Sequence, residues 1–207
     1  MVLIAGLLLA AAAPPSDALE FRRLDKAAAC LIRKDRVAVA NWAATDPGTV
    51  EEASGTERLS ALIEKCAAGV AIGPLASAVA LRLFNRYQTL RIILPGSPEE
   101  RNRFANSVLA GASDRPRPVA VLRCAALMYP EAAEAFVRSE FGSRRESETR
   151  AAATAAIARC TPLSEQIRWT RLSLRLGLAR QVYKMSPAAH LARGTKGAFA
   201  EEAARVR

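Results

Sequence analysis

The segments Cys30–Cys66 (CLIRKDRVAVANWAATDPGTVEEASGTERLSALIEKC) and Cys124–Cys160 (CAALMYPEAAEAFVRSEFGSRRESETRAAATAAIARC) have the same length, and each begins and ends on a cysteine. Laid over one another without gaps, they agree at both cysteines and at Ala38/Ala132, Gly48/Gly142, Glu52/Glu146, Ala61/Ala155 and Ile63/Ile157. Trp42/Phe136, Thr45/Ser139, Asp46/Glu140 and Lys65/Arg159 are conservative pairs in the same register. Alanine matches weigh little in an Ala-rich chain; cysteine, glycine and aromatic matches in one register weigh more. Beyond the second cysteine, Leu81-Arg82-Leu83 faces Leu174-Arg175-Leu176 after a one-residue gap, and Ser97-Pro98 faces Ser186-Pro187. The chain therefore reads as a tandem duplication of a unit of about 90–95 residues.

Working outward, each copy divides into helices at its turn and cap residues. A first helix over roughly 19–33 ends near Lys34-Asp35, where Asp35 is a fair N-cap for the next helix. In the second copy the same break falls at Tyr129-Pro130, with proline suited to the first helical position. A short second helix carries Trp42, or Phe136, inward. Asp46-Pro47-Gly48 and Phe141-Gly142-Ser143 are turns, and a third helix ends at the second cysteine. A fourth helix closes each unit, from Pro74 to about Ile93 and from Leu163 to about Lys184. On the latter, Ile167, Leu174, Leu178 and Met185 form one apolar stripe, and Trp169, Leu172, Leu176 and Tyr183 a second, as expected of a helix with two neighbours. Ser97-Pro98-Glu99-Glu100 has the capping-box pattern and opens a linking helix.

Composition agrees. Hydrophobic residues are 51% of the chain but aromatics only 5%, and Ala dominates, which favours closely approaching helices over sheets. The expected fold class is all-α: two tandem copies of a disulfide-stapled multi-helix unit, packed as a helical-repeat array or bundle. The division is 1–18 for an export signal and 19–96 for the first unit. Residues 97–118 form a linking helix and linker, 119–185 the second unit, and 186–207, with Gly194 and Gly197, a loosely held basic tail.

An up-down-up path makes the first and third helices of a unit roughly parallel and brings both cysteines to one level of the bundle. Of the three connectivities open to four cysteines, this favours Cys30–Cys66 and Cys124–Cys160. Each closed loop would stabilise the fold by about 3–4 kcal/mol through chain entropy. The cysteines read as staples rather than reactive thiols.

Compartment follows from the N-terminus. Val2 to Ala13 is an unbroken apolar run of 12 residues followed by Pro14-Pro15, the length of a signal-peptide core and short of the roughly 20 needed to span a bilayer. Ser16-Asp17-Ala18 offers a cleavage site before Leu19, although the n-region lacks Lys or Arg. The charged stretch Phe21–Lys26 separates this run from Ala27-Ala28-Ala29-Cys30 and argues against lipidation. The expected location is periplasmic or secreted, with no transmembrane segment in the mature chain.

The net charge of +10 lies wholly in the second half: residues 1–100 hold 11 basic and 11 acidic groups, residues 101–207 hold 19 and 9. Arg168 to Ala200 contains seven basic groups and no acid. Arg168, Arg171, Arg175, Arg180 and Lys184, with Trp169 among them, are the candidate anion-binding residues for phosphate or lipid headgroups, provided that they face solvent. The competing reading is that Arg simply solvates helix faces.

Chemistry of other kinds finds little support. The chain has no GxSxG, SxxK, HExxH, P-loop, GxGxxG or CxxC pattern, and its one histidine, His190, lies in the tail. Neither a zinc set nor a cofactor is expected. Glu52 and Glu146 sit at matching helix starts, where negative charge suits the helix dipole, and read as structural.

On Cys30-Leu31-Ile32-Arg33-Lys34-Asp35, Pro47-Gly48 and the Leu-Arg-Leu segment, the chain resembles signal-bearing, disulfide-containing helical proteins of alphaproteobacteria, sphingomonads among them. The resemblance covers most of the mature chain and implies no activity. The expected function is a non-enzymatic interaction or structural module of the cell envelope, its partner an envelope protein or an anionic lipid or lipopolysaccharide headgroup. Nucleic acid is not an expected partner.

Overall fold

A computed structural model of the chain describes residues 16–87, 97–110, 117–162, 167–187 and 189. The proposed signal run, residues 88–96, most of the linker at 111–116, residues 163–166 with the expected helix start at Leu163, and residues 188 and 190–207 of the tail, His190 among them, lie outside the described residues. Among those described there are ten α-helices and no strand.

In the first half these are α1 (Ser16–Lys34), α2 (Arg36–Ala43), α3 (Val50–Arg58), α4 (Ser60–Cys66) and α5 (Ile72–Arg86). The linking helix is α6 (Pro98–Ala110), and the second half is α7 (Arg117–Met128), α8 (Pro130–Arg138), α9 (Arg144–Cys160) and α10 (Arg171–Lys184). The boundaries follow the local chemistry. Asp35 caps α2 by accepting from the Ala38 N–H at 2.9 Å, and Pro130 stands at the first position of α8. Ser97 and Glu100 close the capping box of α6, with Ser97 N–H donating to Glu100 Oε2 at 2.6 Å. The turns at 45–49 and 139–143 each need a left-handed residue, supplied by Gly48 (φ 78°) and Gly142 (φ 91°).

Three helices differ from expectation: α5 ends at Arg86, with Tyr87 already outside the helix, where an end near Ile93 was expected. The third helix of the first half is broken at Leu59 into α3 and α4, and Leu59 and Ile63, four positions apart on one face, are both buried in the core. The last helix starts at Arg171, not near Leu163, because Thr170 is extended (ψ 162°) and its hydroxyl caps the Ser173 N–H at 3.0 Å. Trp169 therefore precedes α10, whose buried residues run from Leu172 to Tyr183 on almost every side.

Both expected disulfides are present. Cys30–Cys66 joins α1 to α4 and Cys124–Cys160 joins α7 to α9, with Cα–Cα distances of 5.6 and 5.9 Å. The largest interhelical contact is between α5 and α10. Helix α5 also packs on α1 and α2, and α10 on α7 and α8, so the two central helices are each wrapped by their own half and face one another. Trp42 and Phe136 are fully buried, as expected of inward aromatics at matching positions. Ser186 and Ala189, the start of the presumed loose tail, are buried as well.

Candidate functional site

The five cations singled out in the sequence do not form a solvent-facing patch. Arg168 alone is exposed; Arg175 is 2% and Arg180 1% exposed, and Arg171 and Lys184 are half-buried. The condition set for anion binding, that these residues face solvent, is met by Arg168 alone. Burying a cation is tolerable only where charge and hydrogen bonds compensate it, and α10 finds such compensation at two places.

The first is the turn after α2. Arg180 donates from Nε to the Thr45 carbonyl (3.0 Å), from Nη2 to Thr45 Oγ1 (3.0 Å) and from Nη1 to Glu52 Oε1 (2.6 Å). Glu52 is held ready: its Oε2 accepts the Gly48 N–H at 2.7 Å, and its own N–H donates to the N-cap Thr49 Oγ1 at 3.3 Å. A planar guanidinium suits this socket because it fills three acceptors from one rigid fork.

The second is the turn after α8. Arg175 donates through Nη1 to the Phe136 carbonyl (3.1 Å), Ser139 Oγ (3.3 Å) and Glu146 Oε1 (3.3 Å). Through Nη2 it donates to the Val137 carbonyl (2.9 Å) and to the carbonyl of Ser139. Glu146, wholly buried, accepts the Gly142 N–H on Oε2 at 2.6 Å and also Arg171, while its N–H donates to Ser143 Oγ at 3.1 Å. Burial disfavours the charged carboxyl, but Arg171, the Gly142 N–H and the nearby Arg175 charge outweigh it and hold Glu146 below the ordinary carboxylate range. Burial also draws Arg175 below the usual guanidinium value, against the pull of Glu146.

The two sockets are built alike. Thr45 and Ser139 each bond back to the carbonyl three residues earlier (2.7 Å in both), a left-handed glycine follows, and a hydroxyl N-cap holds the glutamate. One helix serves both, with its two arginines five positions apart. Around them the halves interlock: Phe141 stacks on Phe21 (ring centroids 4.4 Å, planes 8° apart), and Lys184 and Arg123 both reach Asp46, Arg123 at 3.9 Å. Sequence reasoning paired Glu52 with Glu146 and Thr45 with Ser139 but assigned them no arginine. The signal lay in those polar matches recurring beside the conserved-size aromatics, without any indication of which cation would arrive.

The clefts that remain are open. One of about 850 Å³ runs along α8 and the following turn beside the end of α5, lined by Asn85, Glu131, Glu134, Arg138, Glu140 and Arg145. Arg138 donates to Glu134 at 2.8 Å and lies over the Phe84 ring at 4.1 Å. Among the described residues no cluster of His, Cys, Asp and Glu is arranged to hold a metal ion, and no helix is long and apolar enough to cross a membrane. Two disulfides are compatible with an oxidising, extracytoplasmic location. Compared with protein-family models, with curated proteins and with solved structures, the chain matches none.

Proposed function

We propose that this is an exported, non-enzymatic helical module that binds a protein partner in the cell envelope, built by duplication of a disulfide-stapled unit. Export is supported by the apolar run Val2–Ala13 and by the pairing of all four cysteines. Duplication is supported by the shared construction of the two sockets, which extends the sequence register to hydrogen bonds. The carrying observation for the binding mode is that four of the five candidate cations serve the interior, while the open cleft on α8 presents charges of both signs. Glu131 and Glu134 there stand where the first half has Val37 and Ala40, so this polarity is particular to the second half. Alternating acidic and basic side chains on an open recess suit a protein surface of complementary pattern better than a uniformly anionic lipid or lipopolysaccharide headgroup.

Cross-linking in cells followed by affinity capture tests the reading. Wild type should retain one partner from the envelope fraction, and the charge-reversed variant E131K/R145E should lose it while keeping its helicity. Retention by the variant, or binding of wild type to anionic vesicles that salt abolishes, would sink it.

A further inference from the structure

We infer that the two disulfides are not equivalent, and that Cys30–Cys66 is a site of thiol–disulfide exchange with dithiol reductants whereas Cys124–Cys160 is a closed staple. Exposure separates them first. Cys124 and Cys160 are 4% and 3% exposed, while Cys30 and Cys66 are half-buried. Cys66 lines an open hollow of about 530 Å³ bounded by Arg23, Lys26, Ala68, Gly69 and Val70, so an in-coming sulfur nucleophile can reach it.

Charge separates them again. On α1, Lys26 and Lys34 stand one turn before and one turn after Cys30, and both are exposed. At the same spacing Cys124 has Ala120 and Met128. Cations on the face of the departing sulfur stabilise it as a thiolate, and attraction of the attacking thiolate to Arg23 and Lys26 works in the same direction. In the exchange, a thiolate of the dithiol attacks Cys66 Sγ, and the S–S bonding pair leaves on Cys30 Sγ, which takes up a proton. The second thiol of the reductant then displaces Cys66 from the mixed disulfide. The dithiol is oxidised to its disulfide, and the two cysteines receive its two electrons and two protons.

The fold gives the opening a local consequence. Helix α4 buries Ile63 alone, flanked by Leu59 and Ala67, whereas α9 buries Glu146, Ala153, Ala156, Ile157 and Cys160. Without its bridge α4 has little to hold it to α1, while α9 remains anchored through Glu146.

The test is reduction of the oxidised, folded protein by dithiothreitol under native conditions, with timed alkylation and peptide mapping. Cys30 and Cys66 should be alkylated at least roughly tenfold faster than Cys124 and Cys160, with helicity retained. The surface variant K26Q/K34Q should slow opening of Cys30–Cys66 by roughly threefold or more at low salt, leaving Cys124–Cys160 unchanged. Equal rates for the two bridges, earlier opening of Cys124–Cys160, or no slowing in K26Q/K34Q would overturn the inference.

Discussion

Arg180 Nε donates to the carbonyl of Thr45 across 135 positions of chain, and the same guanidinium closes on Glu52 at 2.6 Å. This contact makes the last helix a structural part of the first half. Arg180→Ala should therefore destabilise the whole protein by about 3 kcal/mol, the scale for removing one partner of a buried ion pair. Arg180→Lys should recover only part, because an ammonium cannot span three acceptors in fixed geometry. Denaturant unfolding of the three proteins measures the order; an Arg180→Ala midpoint equal to wild type would contradict it.

Glu146 makes stability depend on pH. Its carboxyl is held below the ordinary 4.5 in the folded protein, so at pH values between the two pKa values the unfolded chain binds more protons. The stabilisation is fully present above the ordinary value and is lost as pH falls through the lower, folded one. Glu146→Gln should weaken the protein at neutral pH by about 3 kcal/mol, through two arginines left without their carboxylate, and should flatten the stability profile on the acid side. Thermal unfolding from pH 3 to 7 reads both effects.

Two helical glycines should respond differently to alanine. At Gly55 a methyl would sit 2.8 Å from Trp42 Cδ1, a buried ring whose Nε1 is tied to Thr56 Oγ1 at 3.1 Å. Gly55→Ala should destabilise by about 1–3 kcal/mol and alter Trp42 fluorescence. At Gly177 the methyl meets only Leu122 Cδ1, at 2.5 Å, the free end of a flexible side chain. There the gain in helix propensity, about 1 kcal/mol, offsets the repacking, and Gly177→Ala should lie close to wild type.

The two disulfides enclose loops of the same sequence separation, 36, so chain entropy predicts similar losses of about 3–4 kcal/mol when either is removed. Burial breaks the tie. C124S/C160S places two hydroxyls in the core and should be less stable than C30S/C66S, whose serines can reach water. Melting temperatures of the two double variants decide this; an equal or reversed order would count against it.

Local features were legible because their causes are local. Asp35, Pro130 and the Ser97/Glu100 box announce helix starts within four residues of themselves, and each is found there. The cysteine pairing was legible because the spacing repeats. The destination of α10 was not: a run of Arg without acids reads as a polyanion surface until its partners are known, and these lie 25 to 138 positions away. The break at Leu59 was hidden because no capping side chain marks it: α4 begins without a side-chain cap. The onset of α10 rests on Thr170 as N-cap, a signal available in the sequence but overridden there by apolar periodicity.

Helix α10 is also the last in chain order of the ten helices described. Without it, Glu52 and Glu146 would lack the arginines that neutralise them, and α5 would lack the helix that packs along it. One short helix thus supplies the cations of both turns and the surface along which α5 packs, so losing it would cost each half its buried counter-charge at once.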